Sequence, residues 1–121
     1  MGYDLDPTEY TPSEILVSGH GTEERLTITI ASGVGVLSKG QVLGQYNTGV
    51  NSGQFGKYSN ADVGTLGLGE AKGILSDKVD ATSSGVQATM YVHGTFYPER
   101  LTGLDSGAKT DLKDCLFINE D

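Results

Sequence analysis

The residues best suited to catalysis or metal binding are few and widely spaced in this 121-residue chain. The histidines are His20 and His93, and the single cysteine is Cys115. Their spacing matches no zinc-ligand pattern such as HxxxH, CxxC or HExxH. Cys115 stands in the apolar stretch "DCLFI", where a thiol is expected to be buried and unreactive. We therefore expect a structural cysteine, no metal site and histidines without a catalytic role.

Other stretches that could carry chemistry also lack the required spacing. The glycines of "GLGEAKG" do not match a dinucleotide-binding loop, and Tyr58 follows Lys57 where a phosphate-binding loop needs Ser or Thr. Asp77 and Asp80 flank a predicted turn, but no calcium loop surrounds them. No GxSxG nucleophile elbow occurs. The sequence predicts no catalytic or cofactor-binding residues, so the chain is interpreted as a non-enzyme.

Composition limits the classes of partner. The formal net charge is −8, with 16 acidic and 8 basic residues, and no Lys/Arg cluster is present, which argues against nucleic-acid binding. No apolar run has the length of a membrane span, and the N-terminus lacks the pattern of a signal peptide. The chain is thus expected to be soluble, made in a reducing cytoplasm and without a membrane partner. Its 18 glycines favour short strands joined by turns over a helical bundle.

The first 24 residues differ from the rest of the chain. They contain two prolines and six acidic residues, and their apolar side chains are scattered. Such a segment buries too little surface by itself to offset the entropy of ordering. We predict a flexible N-terminal arm at 1–24, which orders against a partner, and a β-rich body at 25–121. The candidate anchors of the arm are Tyr3, Leu5, Tyr10, Ile15 and Leu16.

The body is predicted to be mainly β with a short C-terminal helix. "RLTITIA" and "VQATMYVHGTF" alternate apolar and polar residues, the pattern of strands with one buried face. In the second strand Met90 is predicted in the core and Tyr91 on the opposite, polar face. Residues 73–96 are interpreted as one hairpin. Asp105 and Ser106 are candidate caps of a helix that continues to Asp114, and "CLFIN" closes the chain as a strand.

An ordered set of short matches carries a family resemblance. "KGQVLGQY", then "GKY", then "AKGILSDKVDATSSGVQATMYVHGTF" resemble the tailed-phage head decoration proteins of the lambda type, and "TEYTP" resembles their N-terminal region. The resemblance covers about residues 8 to 118. The matching positions are Gly40, Val42, Leu43, Gly44, Lys57, Tyr58, Ala71, Gly73, Ile74, Leu75, Val79, Asp80, Ala81, Ala88, Thr89, Tyr91, Val92, Gly94 and Phe96.

The resemblance implies both a fold and a function. The fold is a single small β-rich domain, β-barrel or β-tulip-like, with a flexible N-terminal arm. The function is decoration of the outside of an expanded phage head, as trimers at three-fold or quasi-three-fold positions on the major capsid protein. Such proteins stabilise the shell against the pressure of packaged DNA, and they need no cofactor. The implied location is the outer surface of the virion capsid.

Two other interpretations stay open at this point. A carbohydrate-binding or adhesin-like β module could use loop tyrosines and Phe55 to stack on sugars, although tryptophan is absent and the aromatic fraction is 7%. A small hydrolase is the third interpretation. Binding to glycans or to capsids distinguishes the first two, and a panel of ester and phosphate substrates tests the third.

Overall fold

The computed structural model describes residues 15–16, 24–60, 66–113 and 115–117. Eight strands, one 3-10 turn and one α-helix are present in this part of the chain. In chain order they are β1 Glu24–Ile30, β2 Gly35–Leu37, β3 Val42–Gln45, β4 Phe55–Lys57, β5 Ala71–Leu75, β6 Val79–Ala81, β7 Val86–Phe96, the 3-10 turn Pro98–Arg100, α1 Ser106–Asp111 and β8 Cys115–Phe117. The prediction of a mainly β chain with a short C-terminal helix is confirmed.

Five of the strands close into a barrel. The order is β1-β4-β3-β5-β7, and β7 pairs back onto β1 along seven residue pairs. The pairing of β1 with β4 is parallel, and the other four barrel pairings are antiparallel. β8 adds to the end of β7 in parallel, from Gly94–Cys115 to Phe96–Phe117. Closure confirms the barrel-like class that the family resemblance implied.

The barrel interior is filled by side chains from all five strands. Ile30 and Leu43 are fully buried there, and Met90 of β7 is 2% exposed, as the alternation of β7 predicted. Alternate residues of a strand point to opposite faces, so one side chain in two can enter the barrel. Together with Leu37 of β2 and Ala81 of β6, the buried side chains of the barrel strands form what we call the inner cluster: Ile28, Ile30, Leu37, Leu43, Phe55, Leu75, Ala81 and Met90.

A second apolar cluster lies on the outside of the barrel. Tyr91 was predicted on a polar face, but it is 8% exposed. That prediction was wrong because α1, β8 and Ile15 cover the outer faces of β3, β5 and β7. We call this set the outer cluster: Ile15, Val42, Tyr58, Ala71, Ile74, Tyr91, Phe96, Ala108, Leu112 and Cys115. Cys115 is buried and forms no disulfide, which confirms its predicted burial.

Residues 73–96 do not form one simple hairpin. β5 and β7 are antiparallel neighbours, with Ile74 opposite Tyr91. Between them the chain forms β6, which pairs instead with β2 in a separate two-stranded sheet. This pairing is non-local, because residues 35–37 pair with residues 79–81. A short-range sequence pattern therefore cannot predict it. The hairpin interpretation is therefore corrected to a strand pair with an inserted ribbon.

Two aspartates tie α1 to the barrel. Asp105 caps the helix, because its Oδ1 accepts hydrogen bonds from the Ala108 N–H at 2.8 Å and the Tyr58 hydroxyl at 2.9 Å. Asp111 Oδ2 accepts from the Ala71 N–H at 2.9 Å. The cap prediction is confirmed, but the helix ends at Asp111 rather than Asp114. Burial, followed by the bond to Asp105, raises the pKa of Tyr58 to about 12.

The cap predicts an acid-sensitive contribution to folding. Hydrogen bonds, chiefly from the Ala108 N–H, lower the pKa of Asp105 below its ordinary value of 3.8. A carboxyl with a lowered folded-state pKa stabilises the fold above its unfolded value, and this contribution disappears as pH falls through the folded-state pKa. Asp105→Ala should therefore lower the urea midpoint at pH 7 and flatten its decline below about pH 4. Glu70→Ala, which removes an exposed carboxylate, is the control. An equal change in the urea midpoint for Glu70→Ala would contradict the assignment of Asp105 as a stabilising cap.

Candidate functional site

The N-terminal segment joins the body at Ile15, beside the end of β7. Ile15 is 1% exposed and belongs to the outer cluster. Its carbonyl accepts a hydrogen bond from the Tyr97 N–H at 3.0 Å, and Leu16 forms an antiparallel bridge with Phe96. Main-chain pairing and side-chain burial thus fix one point of the segment that was predicted to be an arm.

Two glycines make room for this junction. A Cβ on Gly40 would lie 3.2 Å from Ile15 Cγ2 and 2.9 Å from the Arg100 carbonyl oxygen, and Gly40 has a φ of +92°. A Cβ on Gly94 would lie 3.3 Å from Leu16 Cδ2. Their role is to let the backbone of the body approach residues 15–16 closely.

Of the five predicted anchors, two lie among the described residues. Tyr3, Leu5 and Tyr10 lie outside the described residues. Ile15 is part of the body's own core, and Leu16 is half-buried against it. Direct contact of Ile15 with a partner would require its side chain to leave that core. The first strand of the body, β1, begins at Glu24.

Charge is unevenly distributed between the two parts of the chain. Residues 25–121 contain all eight Lys and Arg residues and ten acidic residues, which gives a formal charge of −2. Residues 1–14 contain Asp4, Asp6, Glu9 and Glu14 and no basic residue. The N-terminal segment is therefore acidic, whereas the body to which Ile15 fixes it is nearly neutral.

No reactive constellation appears in the described part of the chain. His93 is exposed on β7, opposite Glu24 of β1, and Cys115 is buried. In residues 15–16, 24–60, 66–113 and 115–117, no three His, Cys, Asp or Glu side chains converge as metal ligands would. No described helix is long and apolar enough to span a membrane. His20 lies outside the described residues.

Comparison with known families decides the assignment. The family described as bacteriophage lambda head decoration protein D matches residues 7–117, which is most of the chain. The chain belongs to this family. Its members are structural proteins of the phage capsid, so decoration of a capsid, and location on the virion, follow for this protein. No match among curated proteins was found.

The match also separates the earlier interpretations. It supports the family resemblance that was based on the short motifs. The matched region begins at residue 7, within the predicted arm. The family is a structural one and is not known for catalysis, which favours decoration over a hydrolase or a carbohydrate-binding module.

Proposed function

We propose that this head decoration protein binds the outer surface of the expanded head as trimers at three-fold or quasi-three-fold positions. Its partner is the major capsid protein, and its role is to stabilise the shell against the pressure of packaged DNA. The protein is made in the host cytoplasm and added to the finished shell. The observation that carries this proposal is the buried Ile15, which fixes an acidic N-terminal segment to one point of a closed barrel.

Attachment is assigned to residues 1–14. Tyr3, Leu5 and Tyr10 are the apolar anchors in this segment, and a free extended segment can add a strand to a sheet edge on its partner. Ile15 and Leu16 hold the segment to the body. Force applied to the arm is therefore transmitted to the barrel through the main-chain bonds and core contacts of these two residues. Three arms on one trimer bind together, and linked binding gains roughly 10²–10⁴ in affinity over a single arm.

Deleting residues 1–14 should abolish capsid attachment and leave the body folded. The described contacts of the body begin at Ile15, so the truncated protein retains both core clusters. Truncated and full-length proteins are each mixed with expanded, undecorated capsids, and density at the three-fold positions is measured by electron microscopy. Thermal melting of the free proteins checks folding.

A matched set of point variants tests the anchors without truncation. Combined Tyr3→Ala, Leu5→Ala and Tyr10→Ala should weaken binding by at least tenfold, whereas Thr8→Ala in the same segment should not. Decoration of capsids by the protein lacking residues 1–14 would contradict the assignment of these residues as the attachment segment. Failure of the full-length protein to bind any expanded capsid would contradict the proposed function itself.

The stabilising role needs a separate measurement. DNA-filled heads with and without the bound protein are heated, and release of DNA is followed by dye fluorescence. Bound protein should raise the release temperature, and the protein lacking residues 1–14 should have no effect. An unchanged release temperature at full occupancy would contradict stabilisation while leaving decoration intact.

A further inference from the structure

The chain that carries α1 runs between two points at which the main chain is fixed to the barrel. At the first point the Thr102 N–H donates to the Gly40 carbonyl at 3.0 Å. At the second, Cys115 pairs with Gly94 where β8 joins β7. We call residues 103–113, which lie between these points, the strap.

Main-chain hydrogen bonds within the strap are local. The Lys109 N–H donates to the Asp105 carbonyl at 3.0 Å, and the Leu112 N–H donates to the Ala108 carbonyl at 2.9 Å. Among the described residues, no bond between main-chain groups joins the strap to a barrel strand. The helix has six residues, and a helix of that length is not stable in water without packing. It can therefore persist only while the strap is docked on the barrel.

Two aspartate side chains attach the strap to the barrel. Asp105 Oδ1 accepts a hydrogen bond from the Tyr58 hydroxyl at 2.9 Å, near the start of the strap. Asp111 Oδ2 accepts from the Ala71 N–H of β5 at 2.9 Å, near its end. Both bonds must break when the strap leaves the barrel, so the two aspartates determine how often it does so.

The apolar contact beneath the strap is small. Ala108 and Leu112 are its buried members of the outer cluster, and Ala108 contributes a single methyl group. A segment held by few buried apolar contacts, without a main-chain ladder, has a low free energy of local opening. Gly103, directly after the first fixed point, has a φ of +84°, and glycine changes its backbone conformation at little steric cost. It supplies a hinge for the strap.

We propose that the strap opens and closes as one unit while the barrel stays folded, and that it controls access to Cys115. This inference goes beyond capsid decoration and does not depend on it. Cys115 is buried in the same cluster as Ala108 and Leu112, and its N–H donates to the Leu112 carbonyl at 3.1 Å. Opening of the strap removes both neighbours and exposes the thiol to solvent.

Alkylation of the native cysteine tests the proposal in the full-length protein. The rate at which iodoacetamide modifies Cys115 is measured by mass spectrometry at urea concentrations below the unfolding transition. Local opening exposes little surface, so this rate should rise only weakly with urea, whereas modification through global unfolding rises steeply. Met90→Cys in a Cys115→Ser background places the only thiol in the inner cluster and should show the steep dependence. The same urea dependence in both proteins would overturn the strap.

Variants of the two attachments provide the second measurement. Tyr58→Phe removes the donor to Asp105 but leaves the helix cap in place, and Asp111→Ala removes the acceptor of the Ala71 N–H. Each should speed alkylation of Cys115 by roughly two- to tenfold, the size expected for one lost hydrogen bond, and keep the weak urea dependence. Lys109→Ala, at an exposed site on the same helix, is the control and should leave the rate unchanged. Unchanged rates in both attachment variants would also overturn the proposal.

Hydrogen exchange followed by NMR distinguishes local opening from general destabilisation. Tyr58→Phe should accelerate exchange of the Leu112 N–H, within the strap, and of the Ala71 N–H, which is bonded to it. The Leu75 N–H, also on β5 but bonded to the Gln41 carbonyl, should be unaffected. Acceleration at Leu75 by the same factor would show that the whole barrel opens, and the strap would not be a separate unit.

Discussion

Ile15→Ala should destabilise the body by about 2–5 kcal/mol, although the sequence assigned Ile15 to a flexible arm. Its side chain is 1% exposed among the residues of the outer cluster. Truncating a buried isoleucine removes apolar burial and leaves a cavity. A small domain has a free energy of unfolding of roughly 5–15 kcal/mol, so the loss is a large fraction of the total. Urea denaturation of wild type and variant measures it.

The neighbouring residue provides the control. Leu16 is half-buried, so Leu16→Ala removes less buried surface and should cost less than Ile15→Ala. Val50→Ala, at a site 98% exposed, should change the free energy of unfolding by less than about 0.5 kcal/mol. If Ile15→Ala also fell within that limit, Ile15 would not be a core residue, and the root of the arm would lie elsewhere.

This prediction also determines where the arm can be cut. Removing residues 1–14 spares Ile15, whereas removing residues 1–20 deletes both Ile15 and Leu16 together with their contacts to Phe96 and Tyr97. The longer truncation should therefore combine loss of attachment with loss of stability. Comparing the two truncations separates the residues that attach from the residues that hold the arm.

Local patterns in the sequence predicted the parts of the fold that depend on near neighbours. The alternation along β7 placed Met90 in the core, and Asp105 was identified as a cap because helix N-caps favour short acceptor side chains. The apolar surroundings of Cys115 predicted its burial. Each of these signals lies within a few residues of the feature that it predicts.

The features that the sequence did not reveal all depend on distant parts of the chain. Period-two alternation shows that a strand has two faces, but it cannot show that α1 and β8 cover the second face and bury Tyr91. The pairing of β2 with β6 joins residues more than 40 positions apart. Ile15 lacks any local pattern, because one buried residue in an acidic, proline-containing stretch has no periodic partner.

The attachment region stays a prediction from composition. An acidic segment with few apolar residues cannot form a core of its own, and this argument predicts an arm without predicting where it joins the body. The junction depends on the space left by Gly40 and Gly94, which only the packed body reveals. The family match covers residues 7–117, so it includes part of the N-terminal segment as well as the body.

Phe96→Ala should be the most destabilising single substitution considered, at about 3–5 kcal/mol. Phe96 is fully buried where three segments meet: it pairs with Leu16, and it lies opposite Phe117 in the β7–β8 register. Its ring contacts Tyr91 edge-on, with a centroid distance of 5.7 Å. Truncation removes this aromatic contact in addition to the buried surface and leaves a large cavity.

The same substitution should loosen the arm as well as the body. Without the ring of Phe96, Leu16 and β8 lose a shared neighbour, so protection from hydrogen exchange should fall at Tyr97, whose N–H bonds to Ile15, and along β8. Phe96→Leu retains most of the volume and should recover a substantial part of the stability. Phe117→Ala, at a half-buried ring 6.3 Å from Phe96, is the matched control and should cost less. Equal losses for Phe96→Ala and Phe117→Ala would contradict the assignment of Phe96 as the residue on which the junction most depends.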